Sequence, residues 1–167
     1  MVVIVMGVSG CGKSTVGALL AKRLGIPFYD ADDFHPPENV EKMESGEPLS
    51  DIDRHPWLER LSREIESWSQ TGGAVLACSA LKESYRQVLS ANDASRVRFI
   101  WLHGPEELIS ERLQKRKWHY MPPDLLRSQF EALEPPENAT AVSVDQPPEE
   151  IVEKLIKWGG FVEKDGG

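Results

Sequence analysis

The chain has 167 residues, of which 40% are hydrophobic and 28% charged, proportions of a soluble globular protein long enough to bury one sizeable core. Its formal net charge of −8 argues against broad binding to nucleic acid or to anionic membrane surfaces, while leaving room for a local basic pocket. The two cysteines, Cys11 and Cys78, stand far apart in no metal-ligand spacing, which suits a reducing compartment and offers no disulfide framework.

The opening run MVVIVM is too short to span a membrane and lacks a signal peptide's charged start and cleavage site, so the expected location is the cytoplasm. Val2–Met6 is continuous, apolar and β-branched, as a strand buried on both faces should be. Gly7–Gly12 forms a turn, and from Lys13 to Leu24 the residues Val16, Leu19, Leu20 and Leu24 recur at helical spacing before Gly25 stops the helix. PFYD (27–30) reads as a second strand. Residues 31–56 follow, polar and rich in proline and acid, and too long for a simple connection. His55–Gln70 carries Trp57, Leu61, Ile65 and Trp68 on one stripe, with Pro56 in the first turn of the expected helix.

GAVLACS (73–79) and VRFIWLH (97–103) are the third and fourth strands. The helix expected over Pro105–Arg116 has acids at its start and bases at its end, complementing the helix dipole. It runs into QKRKWHYMPP (114–123), a basic and aromatic patch in an acidic protein. TAVSVD (140–145) is the fifth strand and Pro147–Trp158 the last helix. Strands alternating with helices in one chain without repeats imply a single α/β domain, a parallel sheet covered on both faces. Ligands of such sheets bind beyond the carboxyl ends of the strands, an edge that both irregular segments can reach.

Gly7, Gly12, Lys13 and Ser14 satisfy G-x-x-x-x-G-K-[ST], after a strand and at the start of a helix. Glycines let the backbone turn its N–H groups onto phosphate oxygens, and the helix adds its positive end. Residues Gly7, Val8, Ser9, Gly10, Cys11, Gly12, Lys13, Ser14 and Thr15 are therefore the expected nucleotide cradle. Lys13 reaches the β/γ-phosphates and the Ser14 hydroxyl binds Mg²⁺. On the order of 0.01 matches arise by chance in a chain of this size. An apolar strand ending in aspartate supplies the second magnesium contact in switches and motors. The third strand instead ends in Cys78 and Ser79, which leaves Asp30 and Asp32 in YDAD as the nearest acids. Carboxylates there suit both a magnesium-bound water and the proton of an acceptor hydroxyl.

Taken together, the chain resembles the gluconate kinases of the small P-loop kinase group. The resemblance rests on MGVSGCGKSTVG (6–17), FYDADDFHPPENVEKMESGEPLSDIDRHPWL (28–58), LACSALKESYR (76–86), ERLQKRKWHYMP (111–122), LLRSQFEALEPP (125–136) and VDQPPEEIV (144–152). The long second block is the most specific. The resemblance implies a three-layer P-loop kinase fold in which helices cover both faces of a five-stranded parallel sheet of order 2-3-1-4-5. It also implies a substrate-binding segment at 31–56 and a lid at 112–123. It implies transfer of the γ-phosphate of ATP, with Mg²⁺, to the 6-hydroxyl of D-gluconate, and suggests a homodimer. By the same resemblance, Asp30 holds magnesium through water and Asp32 orients or deprotonates the acceptor. Arg54 grips the substrate carboxylate, and His35, Lys42 and Lys82 are further sugar-acid contacts. Arg112 and Arg116 are lid arginines, Lys13, Asp32 and Arg116 form the catalytic set, and DQPP (145–148) passes the adenine.

Each assignment has a plainer rival. Arg54 can pair with Asp51 or Asp53, His35 can shape a turn before two prolines, and Lys82 can be an ordinary first-turn lysine. His55 and His103 read as structural, Trp57 and Trp68 as core, Cys78 as an inert buried thiol, and His119 as lid surface. A kinase for another hydroxy acid such as shikimate shares the loop, the D-x-D and the arginine, but not HPPENVEKMESGEPL or DRHPWL. A nucleoside monophosphate kinase needs a less acidic 31–70. A regulatory nucleotide-binding protein that transfers nothing is the reading from another class.

Overall fold

The computed structural model describes residues 1–115 and 123–158. Its parallel strands are β1 (Val2–Met6), β2 (Phe28–Asp30), β3 (Ala74–Ala77), β4 (Val97–His103) and β5 (Thr140–Ser143), in the order β2-β3-β1-β4-β5. The helices are α1 (Lys13–Leu24), α2 (Pro37–Glu44), α3 (Asp51–Gln70), α4 (Glu83–Leu89), α5 (Glu106–Gln114), α6 (Pro123–Ala132) and α7 (Pro148–Trp158). This is the α/β fold and strand order that the sequence resemblance implies.

β1 explains why its sequence is apolar at every position. Val2 pairs with both Ala74 and Val97, so the strand is central, and alternate side chains leave on opposite faces. Val3 and Val5 enter a core with Leu20, Val152 and Leu155 from α1 and α7, whereas Val2, Ile4 and Met6 enter a second with Leu61, Ile65 and Leu89 from α3 and α4. Each face is thus covered by helices, the condition for a parallel sheet in water. All five strands run the same way, so the loops after β1, β2 and β3 emerge at one edge.

The segment 31–56 is more regular than its composition suggests. A 3-10 turn covers Ala31–Phe34, α2 follows with Pro37 in its first turn, and α3 begins at Asp51 rather than at His55. Pro56 therefore lies inside α3, past its first turn, where it removes one backbone donor. The start is set by a capping box in which Ser50 accepts from the Asp53 N–H at 3.1 Å and Asp53 accepts from the Ser50 N–H at 2.9 Å. α5 spans Glu106–Gln114, shorter than the Pro105–Arg116 read from the sequence, and β5 ends at Ser143 rather than Asp145.

Candidate active site

The loop after β1 is glycine-dependent at its first position. Gly7 has φ +146°, and a Cβ there meets the Leu102 carbonyl oxygen at 2.7 Å and Cys11 Sγ at 2.8 Å. Gly10 lies under Leu113 of α5, whose Cγ stands 2.5 Å from where a Cβ would be. The loop therefore hugs the sheet on one side and α5 on the other, a closeness only hydrogen side chains permit. α1 starts at Lys13 with no acid in its first turn, leaving its positive end open to an anion. Lys13 Nζ donates to the Val8 carbonyl at 3.0 Å, curling back over the loop.

Two clefts share Gly10, Gly12 and Thr15 as a common wall. One, of about 410 Å³, is lined by Lys13, Ser14, Asp30, Asp32 and Ser79. The other, of about 560 Å³, lies between the loop and residues 145–148, with Arg112 at its side. The structure thus brings Lys13, Ser14, Asp30 and Asp32 together, and sets Arg112 with DQPP on the opposite flank. Arg116 and His119 lie outside the described residues, as does most of the 112–123 segment.

Within the first cleft, Asp30 accepts from the Asp32 N–H at 2.9 Å and from the Ser14 hydroxyl at 3.3 Å. Asp30 and Ser14 are hard oxygen donors side by side, which fits a magnesium ion held mainly by phosphates and water. Among the described residues no group of three or more acids, histidines or cysteines gathers as a self-sufficient metal site. Asp32 keeps 77% of its side-chain surface open to the cleft. Its pKa is nonetheless raised, first by desolvation against the cleft walls and next by the Asp30 charge, with Lys13 opposing. Cleft water moderates that shift, because the carboxylate faces solvent.

His35 is buried and stacked on Trp57, with ring centroids 4.2 Å apart. Asn39 Nδ2 donates to the Asp53 carbonyl at 2.8 Å and faces His35 Nδ1 at 3.2 Å. A carbonyl can only accept, so Asn39 presents its amino group, Nδ1 accepts, and the imidazole proton sits on Nε2, 3.8 Å from Asp32. Burial, and then the nearby Arg54 charge, lower the His35 pKa to about 4, so the ring is neutral near pH 7.

Arg54 does meet its plainer rival. It lies 3.8 Å from Asp51 and donates through Nη1 to the Leu49 carbonyl at 2.8 Å and to the Tyr85 hydroxyl at 3.3 Å. Tyr85 in turn donates to Asp51, and Lys82 binds both Asp51 oxygens at 3.3 Å. The Tyr85 hydroxyl bond, then Lys82, holds the Asp51 carboxyl below its ordinary value. The bonds described for Arg54 all leave from Nη1, with its guanidinium 5.6 Å from the centre of the Tyr85 ring, so among the described residues no partner occupies Nη2, a donor suited to a carboxylate. Lys42 is held by Asp53 at 2.9 Å and 3.1 Å. His55 pairs with Glu59, Trp57 donates to the Ala31 carbonyl, and burial pushes the Cys78 thiol up to about 12, where it is inert.

Sequence reading named Asp51 as a partner for Arg54 but missed Tyr85, and missed that Asp51 also holds Lys82, although these residues fall inside the quoted DIDRHPWL and LKESYR. It also missed Arg86, which is buried and donates to the carbonyls of Ala80, Leu81 and Glu134. Ala80 has φ +46°, so Arg86 pins a strained turn just before Lys82.

A family model described as shikimate kinase matches residues 9–158. A probable gluconokinase of Xenopus tropicalis is 47% identical over 93% of this chain and 91% of its own. The gluconokinase of Gluconobacter oxydans is 45% identical over 92% of this chain and 88% of its own. The chain belongs to the gluconokinase family. A gluconokinase crystal structure from Sinorhizobium meliloti superposes with a TM-score of 0.85 at 43% identity, covering 93% of this chain and 89% of that one. A shikimate kinase structure from Aquifex aeolicus superposes with a TM-score of 0.57 at 25% identity, covering 94% of this chain and 95% of that one, a weaker likeness than that to the Sinorhizobium meliloti gluconokinase.

Proposed function

We propose that this protein transfers the γ-phosphoryl group of ATP to the 6-hydroxyl of D-gluconate, giving 6-phospho-D-gluconate and ADP. The observation that carries the reading is one cleft in which a phosphate loop, with Lys13 and Ser14, faces Asp30 and Asp32. The Arg54 segment connects to it through His35, whose Nε2 stands 3.8 Å from Asp32 and whose partner Asn39 donates to the carbonyl of Asp53, the residue before Arg54.

The loop amides and Lys13 hold the triphosphate, and Arg112 flanks the nucleotide beside residues 145–148. Ser14, with Asp30 through water, are the residues to hold magnesium, which when bound neutralises phosphate charge as transfer proceeds. Arg54 grips the gluconate carboxylate, assisted by Lys82 and by His35 as a neutral donor. Lys42, tied to Asp53, contributes by holding this segment in place. Asp32 orients the 6-hydroxyl and accepts its proton as the oxygen attacks phosphorus in line and the bond to ADP breaks. Arg116 joins Lys13 and Asp32 in the catalytic set by resemblance. Cys11 and Cys78 are buried and not joined in a disulfide, consistent with a cytoplasmic enzyme, and among the described residues no helix is long and apolar enough to cross a membrane. We assign it as a homodimer on resemblance, which sedimentation tests.

The shikimate kinase description favours a second reading, a different hydroxy acid as acceptor. ADP release from MgATP with D-gluconate, other aldonates, shikimate, glycerate or water alone separates them. Rapid release with D-gluconate only is expected. Preference for shikimate turns the assignment to the second reading, and equal release with every acceptor overturns both.

A further inference from the structure

A residue outside every motif of nucleotide binding touches the phosphate loop directly. Gln129 of α6 accepts from the Ser9 N–H through Oε1 at 2.7 Å and donates through Nε2 to Ser9 Oγ at 3.1 Å. The orientation of its amide is not arbitrary: a backbone N–H only donates, so Oε1 must face it and Nε2 falls on the hydroxyl. These bonds join residues 120 apart in sequence. Ser9 is the third position of the loop, beside Gly10, Gly12, Lys13 and Ser14, which line the phosphate cleft.

α6 is a firm base for such a contact. Leu126, one turn before Gln129, is buried in the core that also holds Val8 and Cys11, and Phe130 packs against the same cluster. Beyond its far end, the Glu134 N–H donates to the Leu81 carbonyl at 2.8 Å, and the Glu134 carboxylate accepts from the Glu83 N–H at 2.8 Å. Arg86 donates to the Glu134 carbonyl at 2.8 Å. The α6 segment thus bridges the phosphate loop and the turn that presents Lys82.

We infer that Gln129 is a positioning residue of the nucleotide site, fixing the third position of the phosphate loop through its paired bonds to Ser9. The inference rests on the kinase reading above for the identity of the ligand, but not on the acceptor. By taking the Ser9 N–H toward α6, Gln129 turns that amide sideways and sets the path by which the next residues aim theirs at phosphate. A loop whose donors are already aimed loses less conformational entropy on binding. Without Gln129, loop ordering has to be supplied by the nucleotide.

Gln129→Met keeps the length and packing of the side chain and removes both bonds. Each bond contributes about a factor of three to ten, since 1.4 kcal/mol is tenfold and a neutral hydrogen bond nets about 1. Calorimetric titration of the full chain with MgADP, without gluconate, is therefore expected to show a Kd raised about tenfold by Gln129→Met and about threefold by Ser9→Ala. In the Gln129→Met background Ser9→Ala should have no further effect, because its partner is already gone. The KM for gluconate should stay within twofold, as Glu134 still anchors the Lys82 turn. Wild-type MgADP affinity in Gln129→Met, whatever its melting temperature, overturns the inference. So does an undiminished Ser9→Ala effect in that background, or an equal rise in both KM values. If Gln129→Met does not fold, Ser9→Ala alone decides, and unchanged affinity overturns it. Failure of the acceptor assignment is seen separately, as wild-type protein that binds MgADP but does not phosphorylate gluconate.

Discussion

Asp32 and His35 are close neighbours whose pKa values move in opposite directions, one raised and the other lowered, and each shift has a testable consequence. Asp32 must be ionised to take a hydroxyl proton, and its pKa lies above the ordinary 3.8. The acid limb of kcat/KM for gluconate should therefore fall above that value. Asp32→Asn should lower kcat by about 10²–10⁴, the usual yield of a positioned base, with little change in the KM for ATP. A wild-type kcat in steady-state assays removes Asp32 from proton transfer. His35 acts on stability. Its folded pKa, about 4, lies below the ordinary 6.5, so the neutral ring stabilises the fold fully above pH 6.5. As pH falls from 6.5 toward 4 the unfolded chain takes up the proton first, and that contribution is lost. Roughly 1–2 kcal/mol is expected, about half the full shift, because the ring adjoins a wet cleft. Urea unfolding at pH 7 and pH 4.5 should show His35→Gln losing less stability than the wild type between the two. Equal losses would mean that His35 is not held neutral.

At the level of elements, the N-terminus of α3 ties stability to the acceptor side. Asp53 completes the capping box with Ser50 and also holds Lys42, and the Ser50 N–H, then Lys42, keep its carboxyl down at about 2. Ser50→Ala should destabilise the protein by about 1 kcal/mol in urea unfolding, with the KM for gluconate raised because Asp51 and Arg54 lie in the same turn. No loss of stability would show that the box is not formed in solution. This element also shows where sequence legibility ends. Pro56 argues for a helix starting at His55, yet the S-x-x-D signal at Ser50 outweighed it and moved the start to Asp51. α2 is hidden in the sequence because its eight residues expose most of their side chains and bury only Asn39, so no apolar stripe marks it. Asn39 is buried for its bonds to His35 and Asp53, a role that depends on residues at two other places in the chain.

Across the whole molecule, what local chemistry dictates was legible and what long-range pairing dictates was not. The GVSGCGKST loop, β1 and α1 follow from adjacent residues, and β1's continuous apolar run already implies two covered faces. Gln129 on Ser9 and Tyr85 on Asp51 join distant positions, and only the packed fold discloses them. The parallel sheet sets the phosphate loop and the acid-bearing turn after β2 at one edge, so ligand binding should be felt by the fold as a unit. A ligand at about 100 times its Kd adds about 2.7 kcal/mol to the stability of the folded state. For a chain of this length, with about 2–4 °C gained per kcal/mol, MgADP should raise Tm by about 5–10 °C. Lys13 serves the ligand rather than the fold, since its amine bonds only the Val8 carbonyl among the described residues. Lys13→Ala should therefore keep the ligand-free Tm within about 4 °C, in line with loss of a single bond worth about 1 kcal/mol, while losing most of the MgADP shift. Differential scanning fluorimetry of both proteins reads this directly. A Lys13→Ala protein that melts early without ligand, or that keeps the full shift, would show that the lysine holds the loop together rather than the phosphates.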